Sequence, residues 1–374
     1  MSGFVVKGWC PDAWRPMMAG DGLLVRVRPP LGRLTAEQAV GLCAGAIRHG
    51  NGQIDLTVRA NLQIRGVTET GWPMLLAELQ ALGLVDPDPV SEGRGAMLIN
   101  PDWREGDDSH AIASELRARL VELPELPGKV GFVVDVGPAT VLMPASGDFR
   151  VERAADGGLL LRADARARGV TITPATAVDA LIRLAHWFVE SGGRTAGRMA
   201  RHEAALPDWA QGDAKPAPFG VPMQPGVHPI GTVYGLPFGR IAAASLAALV
   251  RTHGCAVRLT PWRLLVAEGI APAPAADMLL ADSPILHVDA CVGAPACPQA
   301  SVATRELAAR LAPLIDGHLH VSGCAKGCAR ARAADWVLTG REGAFDLARN
   351  ARAGAAPLHT GLTPERVVAL LGAC

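Results

Sequence analysis

The chain is nearly without lysine. Lys7, Lys129, Lys215 and Lys326 are the only four among 36 basic residues, and the rest are arginines. A GC-rich genome is the bland source of such a bias. Pairing with carboxylates is the functional one, because the guanidinium fork matches a carboxylate in a bidentate way. Net charge is lacking too, with 36 basic residues against 36 acidic ones, so no global field points to nucleic acid or a membrane surface. No apolar run reaches the ~18 residues of a membrane span, and no basic, apolar and cleavage-site succession opens the chain. A cytoplasmic protein with free thiols is expected. Neither a glycine-rich dinucleotide fingerprint nor a phosphate loop occurs. What the chain does have is length: 374 residues are enough for two or three domains with real cores.

Cysteine is present in a pattern. Cys291 and Cys297 enclose five residues, Cys324 and Cys328 enclose three, and Pro298 follows the second thiol. Leu307, Leu311, Leu314 and Ile315 predict a helix between the pairs, capped by Ser301, with its positive end toward an anionic centre. Leu319 and Val321, alternating with His318 and His320, predict a strand leading into the second pair. Gly323 and Gly327 let backbone N–H groups approach sulfur. Zinc, disulfides and an iron–sulfur cluster compete for these thiols. Zinc sites favour tighter pairs, disulfides need an oxidising compartment, and a cluster accepts the wider spacing best. His318 and His320 are also a candidate pair for a mononuclear non-haem iron, against the plainer reading of ordinary strand histidines. Cys10, Cys43, Cys255 and Cys374 share no spacing and read as small buried hydrophobes.

The sequence repeats itself. Pro30-Leu31-Gly32-Arg33-Leu34, a helix pattern, His49-Gly50 and a strand over 54–67 are answered by Pro237-Phe238-Gly239-Arg240-Ile241, a helix pattern, His253-Gly254 and a strand over 256–266. The recurring histidines suggest a turn role. The strand at 95–101, a helix around 112–123, the segment 128–135 and the helix 175–189 are answered by 285–292, the helix between the cysteine pairs, 317–324 and 363–371. This predicts an α+β fold of two pseudo-symmetric halves. Residues 1–70 form one ferredoxin-like segment, 71–191 an α/β domain without cysteine ligands, and 192–229 a linker rich in Pro, Gly and Ala. Residues 230–270 form the second ferredoxin-like segment and 271–374 the cysteine-bearing α/β domain. A ligand cleft is expected where the halves meet. On a strand over 55–65, Arg59, Asn61, Gln63 and Arg65 would share one face, either as a solvated face or as the wall of that cleft. Arg258 and Arg263 follow by internal symmetry.

The spacing Cys-x5-Cys, then Cys-x3-Cys, resembles the cluster signature of the sulfite and nitrite reductase family. The resemblance implies a 4Fe–4S cluster on Cys291, Cys297, Cys324 and Cys328, with Cys328 bridging to the iron of sirohaem in the reducing members. It implies that Arg59 and Gln63 serve tetrapyrrole carboxylates and a bound anion, and that Arg94, in Gly93-Arg94-Gly95, is similar to the anion-site arginine. The two lysines of the sulfite reducers are represented by Lys129 alone, with Gly131 at the second place. Six-electron reduction needs dense positive charge, so this departure argues against it. Gly8-Trp9-Cys10-Pro11, Trp14-Arg15-Pro16, the stretch 21–26 and Leu259-Thr260-Pro261-Trp262-Arg263 resemble an oxygen-using branch serving aerobic cobalamin synthesis. That branch is a monooxygenase, which hydroxylates precorrin-3A at a meso carbon and forms a lactone ahead of ring contraction. The catalytic residues stay open among Arg59, Arg94 and Lys129. Arg59, Asn61, Gln63, Arg65, Arg94 and Arg263 are the substrate-binding candidates. A sirohaem-dependent nitrite or sulfite reductase is the alternative, and a non-catalytic electron-transfer or tetrapyrrole-carrier protein is the third reading. Partners would be precorrin-3A, O2 and a separate NADH-linked electron donor protein.

Overall fold

The computed structural model describes residues 10–372. Gly8, Trp9 and Cys374 lie outside them. Its architecture turns on two short segments. Pro30–Gly32 and Pro237–Gly239 are single 3-10 turns in which Leu31 and Phe238 hold φ of 54° and 57°. The following Gly32 and Gly239 sit at 67° and 70°. Two left-handed residues in succession fold the chain back sharply, which favours glycine at the second. Gly239 is also boxed in, since a Cβ there would stand 2.5 Å from the Leu56 carbonyl oxygen.

The strands emerging from these turns cross into the opposite half. Arg33–Leu34 pairs with Val257–Leu259, and Arg240–Ala242 pairs with Gln53–Leu56. Two hybrid antiparallel sheets result. The first runs Met17–Ala19, Gly22–Val27, Leu62–Val67, Gln53–Leu56, Arg240–Ala242. The second runs Gly226–His228, Gly231–Gly235, Leu264–Glu268, Val257–Leu259, Arg33–Leu34. Each crossing strand leads into a helix, Ala36–His49 or Ala243–His253, and these two helices pack on each other. The first opens on a capping box between Thr35 and Gln38. Leu42, Ala46, Leu246 and Val250 then join both hybrid sheets into one core.

Each half adds a five-stranded α/β sheet of the same topology. Met97–Ile99, Phe132–Asp135 and Phe149–Arg153 are parallel, and Leu159–Ala163 and Val170–Ile172 follow antiparallel. Val288–Ala290, Leu319–Ser322 and Ala334–Arg341 are parallel, and Ala344–Ala351 and His359–Leu362 follow antiparallel. Helices Asp108–Ala118 and Pro174–Glu190 cover the first sheet, and Arg305–Leu311 and Pro364–Leu371 the second. On the far face of the first sheet, Glu152 lies fully buried between Arg150 and Arg162 at 2.8 and 2.6 Å. Burial alone would raise its carboxyl pKa, but Arg162 and Arg150 hold it below the usual range. Residues 192–229 run along this sheet, bridging at Ala214, Pro216 and Phe219. Among the described residues no helix is long and apolar enough to cross a membrane.

The fold is the α+β pair of pseudo-symmetric halves that the repeat predicts. Three local expectations are corrected. The strands over 54–67 and 256–266 are hairpins, because Thr57 and Thr260 each anchor a tight turn. The hydroxyl of Thr57 accepts from Arg59 and Asn61 N–H, that of Thr260 from Trp262 and Leu264 N–H, and Ala60 and Arg263 take φ of 51° and 59°. The helix between the cysteine pairs starts at Arg305, not after Ser301. Ser301 instead donates its N–H to the Gly323 carbonyl, and Thr304 at the helix start donates its hydroxyl to the Cys291 carbonyl. His49 and His253 do not share a role: His49 is buried against Glu78, whereas His253 is exposed at a helix end.

Candidate functional site

The hairpin turns one wall of the first hybrid sheet polar. Leu62 and Ile64 point into the core, while Gln63 and Arg65 face the other way beside Arg26 of the neighbouring strand. Arg59 and Asn61, now on the turn, prolong that stripe. Arg59 donates to the Lys129 carbonyl at 2.9 Å and to the Ser146 hydroxyl at 3.1 Å. Arg26 donates to the Gln63 amide oxygen at 2.7 Å once that amide is turned to present it. Among the described residues neither Arg26 nor Arg59 is held in an ion pair by a carboxylate. Burial, and then the nearby Arg198, lower the Arg59 pKa; burial lowers that of Arg26. Such half-desolvated guanidinium groups are matched to an anionic ligand.

Arg26, Arg28, Arg59 and Asn61 line a small recess of about 20 Å³ with Gly128, Gly131 and Ser146. It adjoins an open groove of about 220 Å³ through Arg28, Asn61, Met97 and Leu98. The groove mixes apolar Leu84, Val85 and Ile99 with Arg117, Asp86 and Glu92. Gly131 cannot be enlarged cheaply, since a Cβ there would stand 2.7 Å from the Ala96 carbonyl oxygen.

At its other end the polar stripe meets the C-terminal half. Arg65 is 6 % exposed and bonds both oxygens of Asp21, at 2.7 and 3.1 Å. Asp55 reaches Arg305 at 3.0 Å, and Gly20 donates its N–H to Ala296 at 2.9 Å. Ala296 lies within the first cysteine loop, so that loop is docked on the stripe.

The four sequence-paired cysteines occupy two loops at the ends of neighbouring parallel strands. Cys291 follows Val288–Ala290, and its sulfur accepts the Gly323 N–H at 3.2 Å. Cys324 follows Leu319–Ser322, whose Ser322 hydroxyl donates to the Cys324 carbonyl at 2.7 Å. Gly323 has no room for a side chain, a Cβ there standing 2.6 Å from that of Ala300. Burial pushes the Cys324 thiol up, and the proximity of Cys297 and Cys291 adds to it. Cys328 is the exposed member. Four thiols on two mutually tied loops have the number and chemistry that an iron–sulfur centre takes. As the side chains stand, no three Cys, His, Asp or Glu groups among the described residues are gathered closely enough to hold a metal ion.

The other candidates are dispersed. Lys129 is exposed and contributes its carbonyl to Arg59. Arg94 ends the short helix Pro89–Arg94 and donates to the Val121 carbonyl at 3.3 Å, away from the recess lining. Arg263 is committed to Asp289 and the Ala329 carbonyl, and Arg258 to Glu268 and backbone oxygens. His318 gives Nδ1–H to the His287 carbonyl, while His320 is fully buried with neither ring nitrogen bonded. Burial lowers the His320 pKa to about 4. Cys43 and Cys255 are buried, as small hydrophobes should be, whereas Cys10 is half-buried and hydrogen-bonded with Arg26. Arg26, Arg28 and Arg198 were not legible as site residues: Arg28 is paired with Glu92 and Arg198 with Asp148, and only the folded sheet shows that Arg26 stands apart from such pairs.

Two halves with exchanged strands, and cysteine loops on the second alone, define a protein of the nitrite and sulfite reductase type. The nitrite/sulfite reductase ferredoxin-like half domain matches residues 15–82. The fold is that of the NirA protein of Mycobacterium tuberculosis, with a TM-score of 0.59 at 17% identity, covering 92% of this chain and 78% of that one. Ferredoxin–nitrite reductase of Synechococcus elongatus is 25% identical over 89% of this chain and 78% of its own. Precorrin-3B synthase of Sinorhizobium sp is 32% identical over 94% of this chain and 84% of its own. The chain belongs to the precorrin-3B synthase family, a family of enzymes.

Proposed function

We propose that this chain is an oxygen-dependent precorrin-3A hydroxylase, acting at the recess between the first hybrid sheet and the N-terminal α/β sheet. The observation that carries the reading is the pair Arg26 and Arg59, half-buried and unmatched by acid among the described residues, on a stripe that ends at the cysteine loop. Precorrin-3A is a carboxylate-rich macrocycle, so these guanidinium groups would take its acetate and propionate arms. Gln63 and Asn61 supply uncharged contacts beside them. Arg65 and Arg263 are withdrawn from that role by their internal ion pairs. Cys291, Cys297, Cys324 and Cys328 would hold a 4Fe–4S cluster. When bound, it supplies single-electron transfer. One atom of O2 enters the macrocycle as the hydroxyl that precedes lactone formation, and the other leaves as water, which takes two electrons from a separate donor protein. The filled space at Gly131 supports this reading over sirohaem-dependent reduction, because a second lysine has no room there.

The test is anaerobic reduction followed by one exposure to O2 with precorrin-3A present. Product in proportion to the electrons lost by the cluster supports the proposal. Equal product with the cluster kept oxidised throughout overturns its electron-transfer part, and conversion of nitrite or sulfite without any of precorrin-3A overturns the whole.

A further inference from the structure

One carboxylate joins both cysteine loops. Asp289 lies two residues before Cys291, on the strand that delivers it. Its Oδ1 accepts from Arg263 Nη1 at 2.5 Å and its Oδ2 from Arg330 Nη1 at 2.9 Å. Arg330 stands two residues after Cys328. Arg263 spends its second terminal nitrogen on the carbonyl of Ala329, at 2.9 Å, beside Cys328. The clamp therefore has one arm on each cysteine loop and its root in the second hybrid sheet. Arg263 reaches this far because it occupies the left-handed turn position of its hairpin, its stem lying across Gly239 where a Cβ would come within 2.9 Å of Arg263 Cδ.

Beneath the clamp, His320 is in register with Asp289 on the neighbouring strand. It is 0 % exposed, and among the described residues both ring nitrogens lack a partner. Its Cε1 lies 3.6 Å from where a Cβ on Gly327 would sit, which puts the ring under the second cysteine loop. A wholly buried imidazole with no partner is costly unless something else satisfies it.

We propose that Arg263, Asp289 and Arg330 are positioning residues that fix the separation of the cysteine loops, and that His320 completes its hydrogen bonding by donating to a sulfur of the centre they hold. The inference rests on the cluster reading of the preceding section. It assigns Arg263 to the metal centre instead of to substrate. Groups that orient metal ligands typically govern affinity by about ten- to a hundredfold, and a hydrogen bond to sulfur stabilises the more negative, reduced state of a cluster.

The parent, Asp289→Asn, Arg263→Ala, Arg263→Lys and His320→Leu chains are reconstituted anaerobically with iron and sulfide. Iron retention against a chelator and reduction potential are measured, with circular dichroism to confirm folding. Asp289→Asn and Arg263→Ala should lose iron roughly tenfold faster, with Arg263→Lys intermediate. His320→Leu should retain its iron and shift to a lower potential. Retention equal to the parent in Asp289→Asn and Arg263→Ala overturns the clamp. An unchanged potential in His320→Leu overturns the hydrogen bond. A parent chain that takes up no cluster overturns the preceding reading and this one together.

Discussion

Arg59 and Arg65 stand six residues apart on one polar stripe, yet their surroundings separate their roles. Arg59 bonds only a carbonyl and a hydroxyl, so truncating it removes a charge-assisted contact with a ligand. That is worth about 1.5–3 kcal/mol; Arg59→Ala should bind precorrin-3A roughly ten- to a hundredfold more weakly, with unchanged melting. Arg65 is buried against Asp21, so Arg65→Ala takes away the guanidinium that bonds both oxygens of Asp21, while Asp55 keeps Arg305. Its effect should be a stability loss of about 3 kcal/mol, read by denaturant titration. The reverse assignment of the two phenotypes would show the stripe misread. Asp135 carries a different consequence. Fully buried, it accepts from Asn100, Val141 and Leu142, yet burial still raises its pKa to about 6. An unfolded aspartate titrates near 3.9. Its contribution to stability is therefore complete below about pH 4 and is lost as pH rises through about 6, a change on the order of 2–3 kcal/mol. The pH slope of stability between 4 and 7 should flatten in Asp135→Asn; an identical slope in parent and variant would refute the assignment.

At the scale of elements, the contact that brings the cysteine loop to the polar stripe is a backbone approach at Gly20. A Cβ there would lie 2.3 Å from the Pro295 carbonyl oxygen. Gly20→Ala must push the hairpin and the loop apart, at a cost of roughly 1–3 kcal/mol. Faster hydrogen exchange at the N–H of residue 20 should accompany it, and parent-like exchange with parent-like melting would show the contact to be soft. The sequence announces these elements unevenly. The repeated Pro-x-Gly-Arg motif is legible because its left-handed turn demands glycine. Where the strands after it go is not, since two or three residues carry too little pattern to name a partner half. The hairpin over 53–67 reads as one strand because Arg59 and Asn61 fall at odd positions and continue the alternation of Gln63 and Arg65 straight through the turn. Ser301 looks like a cap by residue type, but its N–H is drawn to Gly323, and the helix waits three residues longer. The cysteine spacing is legible because thiols are rare and paired. The arginine recess is not, because in a chain this rich in arginine only the fold separates matched guanidinium groups from unmatched ones.

In the whole molecule, pseudo-symmetry creates the same seam twice, and charge distinguishes the two copies. Register places Glu268 where the first half has Arg65, and Arg258 where it has Asp55. In the second seam Glu268 is bound by Arg33 and Arg258, at 2.7 and 2.5 Å, so the arginines there are already neutralised by the chain itself. The first seam leaves Arg26 and Arg59 without a carboxylate ion pair among the described residues and has the cysteine loop beside it. Both seams depend on exchanged strands, which makes the halves inseparable. Residues 1–229 alone would leave Gln53–Leu56 as a bare edge and would expose Leu42 and Ala46, which join the same core as Leu246 and Val250 of the helix Ala243–His253. Residues 230–374 alone would lose the strand Arg33–Leu34 and the ion pair to Glu268. Bare sheet edges and apolar faces of this kind aggregate. Each piece expressed alone should therefore be insoluble or unfolded, while the two expressed together should co-purify as a one-to-one complex. The complex should be less stable than the intact chain, because the linker no longer supplies a high effective concentration. Size-exclusion chromatography and thermal melting decide it: a monomeric, cooperatively melting fragment 1–229 would show that the strand exchange is dispensable and that the halves are independent domains.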